Sequence, residues 1–126
     1  MKNIKQANIN INIKDLFFSW LNIISSFHNL PPQEEKILAL LLYHHYKLQK
    51  EVTNEKILWK LVFDYDTKKL IKNELGIADQ SMQNALTKLR KQNIIIDNKI
   101  TKAFIPTLEQ GANNFKIIFN FNIIHE

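Results

Sequence analysis

Apolar residues recur along this chain with two different periods, and the changes of period divide it into elements. Asn8 to Ile13 alternates asparagine with Ile9, Ile11 and Ile13, and a period of two puts the isoleucines on one face of a short strand. From Asp15, a candidate cap, to about His28, the residues Leu16, Phe17, Trp20, Leu21, Ile23, Ile24 and Phe27 make a broad helical stripe. Leu30-Pro31-Pro32 breaks that helix. The second proline suits the first turn of the next one, with Glu34 and Glu35 near its positive end. This helix is predicted to run to about Gln49. Ile37, Leu38, Leu41, Leu42 and His45 fall near one face and Lys47 and Lys50 near the negative end, the pattern of a central core helix.

Thr53 is a candidate cap for a further helix carrying Ile57, Leu58, Trp59, Leu61 and Val62. Phe63-Asp64-Tyr65 reads equally as a helix end or a very short strand. Asp66 or Thr67 can cap the next helix, with Leu70, Ile71 and Leu75 inward and Lys68, Lys69 and Lys72 outward; Gly76 suits the left-handed position that ends it. After a turn at Ile77-Ala78, Asp79 or Ser81 can cap a helix whose apolar positions Met82, Ala85, Leu86 and Leu89 follow the i, i+3, i+4, i+7 spacing. Its other face carries Gln80, Gln83, Asn84, Thr87, Lys88 and Lys91. Ile94 to Ile96, the turn Asp97-Asn98, and Ile100 to Ile105 read as strand, tight turn, strand. Beyond Pro106 and a polar loop from Leu108 to Asn114, Phe115, Ile117, Phe119, Phe121 and Ile123 alternate as a last strand would.

The chain has 126 residues, 45% hydrophobic, with 2 Gly and 3 Pro. That composition fits one mainly helical domain with a small antiparallel β element and argues against disorder. The boundaries drawn are 1–52 for the N-terminal strand and helices, which can serve oligomerisation or docking, and 53–126 for the remainder. The net charge is +5, a bias toward anionic partners. All the basic residues except Arg90 are lysine, and with abundant Ile and Asn this reflects an AT-rich coding sequence as much as any ligand. The absence of cysteine excludes a disulfide framework and thiolate metal sites. No apolar run approaches the length of a membrane span, and the N-terminus has none long enough for a signal peptide. The expectation is a cytoplasmic protein of a bacterium, or one encoded by a phage or mobile element.

Helices followed by helix, turn, helix and then a hairpin is the order of a winged helix-turn-helix domain, and the residues from Asp66 to Ile123 look like that family. LIKNELGIADQSMQNALTKLRKQNII resembles the core of MarR-type regulators and of plasmid or phage replication initiators, and LPPQEEKILALLLYHH resembles the helix that opens many such domains. The resemblance implies a winged helix-turn-helix with an extra N-terminal strand and helices. In that family the second helix of the motif enters the major groove and the wing meets the backbone or minor groove. Carried over, this sets Gln80, Ser81, Gln83, Asn84, Thr87 and Lys88 on the DNA side, with Lys68, Lys69, Lys72 and Lys91 near phosphate and Lys99, Lys102 and the loop around Gln110 in the wing. Side-chain chemistry points the same way, because Gln and Asn can pair with the N6/N7 edge of adenine, and Lys with phosphate or guanine.

Other chemistry is scarce. His44 and His45 are adjacent, and neighbouring helical side chains diverge by about 100°, a poor arrangement for one metal ion. His28 and His125 have no ligand-spaced partner in the sequence. Glu34, Glu35, Asp64 and Asp66 have capping or surface explanations, so neither an enzyme, a cofactor nor a metal is expected. The expected partner is double-stranded DNA, with a regulator or replication accessory factor as the function. A second reading comes from a different class: a virion connector or other structural component of a phage that uses the fold to dock on protein, as homo-oligomer or with an assembly partner. Its grounds are the loop LEQGANN, which lacks Lys and Arg, the acidic Asp79 opening the amide-rich helix, and apolar stripes beyond the needs of a minimal winged helix.

Overall fold

Three of the helices begin at a small polar side chain that accepts a first-turn N–H and one begins at a proline pair, and all but the shortest carry apolar residues that reach one common core. The computed structural model describes residues 5–109 and 111–126. Among them are six α-helices and one two-stranded antiparallel sheet. The structure is therefore mainly α with a small β element, as the hydrophobic pattern predicts.

The centre is α3 (Pro32–Leu48). Pro31 occupies its N-cap, Pro32 its first position, and Glu34 and Glu35 its first turn, where the helix dipole favours negative charge. Ile37, Leu38, Ala39, Leu40, Leu41 and Leu42 are consecutive and all essentially inaccessible to solvent. A helix apolar on every side must be surrounded. α1 (Ile13–Ile23), α4 (Glu55–Val62), α5 (Tyr65–Leu75) and α6 (Asp79–Lys91) all pack on it. The core therefore joins residues on both sides of position 52 in one cluster.

Ahead of α1 the predicted strand over Asn8 to Ile13 does not form. Residues 5–12 lie outside any helix or strand with Ile9 and Ile11 exposed, since among the described residues no segment offers them ladder hydrogen bonds. Asn12, not Asp15, caps α1: its side-chain oxygen accepts the Asp15 N–H at 2.9 Å, and Ile13 is already helical. The single helix expected to His28 is broken at Ile24, after which α2 (Ser25–His28) makes one turn and ends at left-handed Asn29. Buried His28 secures this corner. The Leu30 N–H donates to Nδ1 at 2.9 Å, which leaves Nε2 to donate to the Leu21 carbonyl at 2.8 Å.

Two more caps differ from the expected ones, one residue downstream for α4 and two or three residues upstream for α5. Asn54, rather than Thr53, accepts the Ile57 N–H at 3.0 Å to start α4, and Asp64, rather than Asp66 or Thr67, accepts the Thr67 N–H at 2.9 Å to start α5. Phe63-Asp64-Tyr65 is thus a helix boundary and not a strand. Thr67 is buried instead, its hydroxyl donating to the Leu61 carbonyl at 2.9 Å and tying α5 to α4. Leu70, expected to point inward, is exposed. Thr67 and Ile71, four residues apart, supply the inward face of α5, and Leu70 is rotated about 100° from Ile71.

Gly76 ends α5 in the left-handed conformation with φ 65° and ψ 36°, as its position predicts. α6 follows from Ala78, an N-cap without a side-chain hydrogen bond, so neither Asp79 nor Ser81 caps it. Met82, Ala85, Leu86 and Leu89 are buried at the predicted spacing. Left-handed Asn93 closes α6, with the Ile94 N–H donating to the Leu89 carbonyl at 3.0 Å, and turns the chain into β1 (Ile95–Ile96). β2 (Lys99–Ile100) pairs antiparallel with β1 in the register Ile95 to Ile100 and Ile96 to Lys99. Asp97 and Asn98 both have positive φ, the requirement of a two-residue type I′ hairpin turn.

The strand expected over Ile100 to Ile105 stops early. Thr101 donates its N–H to the Ile94 carbonyl and its hydroxyl to the Asn93 carbonyl, both at 2.8 Å, and Lys102–Phe104 then coils into a single 3-10 turn. The Trp20 indole N–H donates to the Phe104 carbonyl at 2.9 Å, drawing this turn onto α1. The final strand expected from Phe115 to Ile124 is likewise absent, because among the described residues no other strand lies beside it. Of that loop, Gln110 lies outside the described residues.

Three substitutions report on this architecture. Leu41→Ala should lower the free energy of unfolding by about 2–5 kcal/mol, the range for a large side chain removed from a closed core. Gly76→Ala meets no neighbouring atom within 4 Å, so its loss of roughly 1–2 kcal/mol reflects left-handed backbone strain alone; Gly76→Asn should lose less. Urea unfolding monitored by circular dichroism measures all three.

Candidate nucleic-acid interface

The amide-rich face of α6 exists because the opposite face is fully used. With Met82, Ala85, Leu86 and Leu89 buried, Gln80, Gln83, Asn84, Thr87, Lys88, Arg90 and Lys91 are left exposed and Ser81 half-buried. Gln80 Nε2 donates to Asn84 Oδ1 at 2.9 Å, one helical turn on, which keeps the Asn84 amide oriented while its own NH2 faces outward without a partner among the described residues. Thr87 Oγ1 donates to the Gln83 carbonyl at 2.9 Å, a common resting state for a helical threonine.

Ser81, Asn84, Thr87, Lys88 and Lys91 line one side of a shallow open groove whose other side is Pro31, Gln33 and Glu34 at the start of α3. The structure thus brings five of the predicted residues together and adds three that the sequence reading did not place there. Glu34 matters most, because its carboxylate accepts from Lys88 Nζ at 3.2 Å and the residue is otherwise buried. It is 54 residues from Lys88 in sequence, and its place in the first turn of α3 already explains it locally. No local sequence signal marks the contact.

Charge on this side of the molecule is partly compensated. Lys72 on α5 forms an ion pair with Asp79 at the opening of α6, across the Gly76 turn. Asp79, the acidic residue that opens α6, thus has a cationic partner within the fold. Lys69, Arg90 and Lys91 are exposed and Lys68 half-buried, and none of these four makes an ion pair among the described residues. Lys99 and Lys102 are exposed on and just after the hairpin, and among the described residues neither makes an ion pair. Arg90 belongs with Lys88 and Lys91 to the basic last turn of α6, and its alternation with the two lysines could have flagged it.

The two adjacent histidines of α3 have separate surroundings, as helical geometry requires. His45 stacks on Trp59 with ring centres 4.2 Å apart, and His44 meets Tyr43 edge-on at 5.7 Å. Burial holds both below the usual imidazole pKa of 6.5; Lys47 lowers His44 further, and Glu55 opposes the shift at His45.

No protein-family profile, curated protein or solved structure matches this chain.

A folded-state pKa below the unfolded one means that the unfolded chain takes up protons first, so stability is full above about pH 6.5 and falls as pH drops through the lowered values. The urea midpoint should therefore be lower at pH 5.5 than at 7.5. A His44→Gln/His45→Gln variant should show a smaller difference between the two pH values.

Proposed function

We propose that this chain is a winged-helix DNA-binding protein, a transcriptional regulator or replication accessory factor, in which α6 enters the major groove. One observation carries this reading: α6 is anchored by four buried residues and turns Gln80, Gln83, Asn84 and Thr87 outward together. α5, the Gly76 turn, α6 and the β1–β2 hairpin follow one another in the order of a winged helix.

In this reading the outward NH2 of Asn84 and the carboxamide of Gln83 recognise adenine, which offers one donor and one acceptor on its major-groove edge. Lys68, Lys69, Arg90 and Lys91 meet phosphates, and Lys99 and Lys102 do so from the hairpin side. Lys88 is shared between Glu34 and an approaching phosphate. Such a protein, carried by a bacterium, phage or mobile element, works in the cytoplasm of the cell that holds the DNA. The exposed apolar residues Ile118, Phe121, Ile123 and Ile124 favour a second reading, a phage structural or connector protein docking through that segment.

Fluorescence anisotropy with duplex selected from a random library tests the first reading. Affinity should fall steeply between about 50 and 200 mM salt as counterions are released. Gln83→Ala/Asn84→Ala should remove about 1–3 kcal/mol of discrimination between selected and scrambled duplexes. Glu34→Gln, by freeing Lys88, should tighten binding about two- to fivefold. Absent or salt-insensitive binding overturns the reading; a large ring without DNA affinity in light scattering would favour the structural one.

A further inference from the structure

The segment Phe115 to Glu126, FKIIFNFNIIHE, has the composition and alternation of a β-strand, yet it lies outside any helix or strand. Strand-forming residues in such a pattern need ladder partners. Among the described residues, no backbone hydrogen bond involves residues 113–126. Ile118, Phe121 and Ile124 are 79%, 85% and 87% exposed. The start is held: Phe115 sets its ring against Trp20 at 6.0 Å, nearly perpendicular, and Ile117 is half-buried.

We propose that this segment pairs antiparallel with the same segment of a second copy, in the register that places Phe121 opposite Phe121. Around that two-fold point Lys116 faces Glu126, Ile118 faces Ile124 and Asn120 faces Asn122 on one face of the ribbon. On the other, Phe119 faces Ile123 and Ile117 faces His125. Opposite charges, paired amides and paired apolar groups are each stabilising when directly opposed across antiparallel strands. Other registers lose this match. A shift to the two-fold point at Asn120 sets Lys116 against Ile124 and Ile118 against Asn122, and a half-step between the two sets Phe119 against Asn122.

The chain's own N-terminal arm is the competing partner, since 8–13 also alternates Asn with Ile. It is present at the higher effective concentration of a tethered segment, yet 5–12 also lies outside any strand. A second copy offers what the arm lacks, the charge complement to both Lys116 and Glu126. A two-stranded ribbon is marginal alone. Ile23 and Phe27, three and seven residues beyond Trp20, are exposed apolar side chains on α1 and α2, available to cover the Phe119–Phe121 face of such a ribbon. The ribbon would join two bodies through their C-terminal segments whatever ligand α6 meets.

Because the chain contains no cysteine, a single introduced thiol reports the register without background. In the full chain and without DNA, F121C should give a disulfide dimer on mild oxidation, since directly opposed residues sit about 4.5–5.5 Å apart between Cα atoms, within disulfide reach. N120C alone should not, but mixed N120C and N122C chains should. Light scattering should show the wild-type mass doubling with concentration; K116E and E126K should each return it to monomer, and K116E/E126K should restore the dimer. A monomer at all concentrations, equal cross-linking of F121C and N120C, or cross-linking of I11C with F121C within one chain would each overturn the pairing. These readouts need no DNA, so their failure leaves the DNA-binding reading standing.

Discussion

Enclosure of α3 is the constraint from which the rest of the structure follows. Six consecutive residues, Ile37 to Leu42, are buried, so no face of that helix can remain at the surface along this stretch, and the other helices must be arranged around it. Burial on this scale supplies most of the stabilisation. It also explains why α5 and α6 can present polar outer faces: each needs only a narrow apolar stripe to hold its place, and every other position is released from packing. The polar groups that do enter the interior are each matched, Thr67 to the Leu61 carbonyl and His28 to Leu21 and Leu30. They act at corners, where one element hands over to the next.

The helices were legible in the sequence where period and punctuation agreed. Pro32, Gly76 and the Met82, Ala85, Leu86, Leu89 spacing placed α3, the end of α5 and α6. Caps were less legible for a definite reason: Asn12, Asn54 and Asp64 each stand near other residues able to cap, and the choice depends on which one packing leaves in an extended conformation. Leu70 went astray because hydrophobicity cannot say which of two adjacent apolar residues faces inward. Alternation over 8–13 and 115–124 marks the side-chain pattern of a strand but carries no information about a partner. At the candidate interface the amides of α6 were visible as the polar complement of a Leu-rich stripe, while Glu34 reaches Lys88 only through the packing of α3 against α6.

Under the DNA-binding reading, the balance of charges on α5 and α6 has a particular effect. Lys72 and Lys88 already have carboxylate partners, so the electrostatic pull on any duplex is weaker than the count of lysines implies. Sequence-independent affinity comes from the phosphate term, whereas discrimination comes from groups that read base edges. Damping the first while keeping the second raises the share of binding energy that depends on sequence.

The two tryptophans contact different parts of the chain. Trp20 donates to Phe104 and meets Phe115, so its indole touches both the turn after the hairpin and the start of the C-terminal segment. Trp59 stacks on His45, lies near-parallel to Phe63 at 6.2 Å, and is buried. The first indole is set to respond optically to rearrangement of the C-terminal segment, and the second to the protonation of an imidazole stacked against it. The protein thus holds two intrinsic fluorophores whose signals can be separated by replacing either one, reporting tail ordering and core titration without any added label.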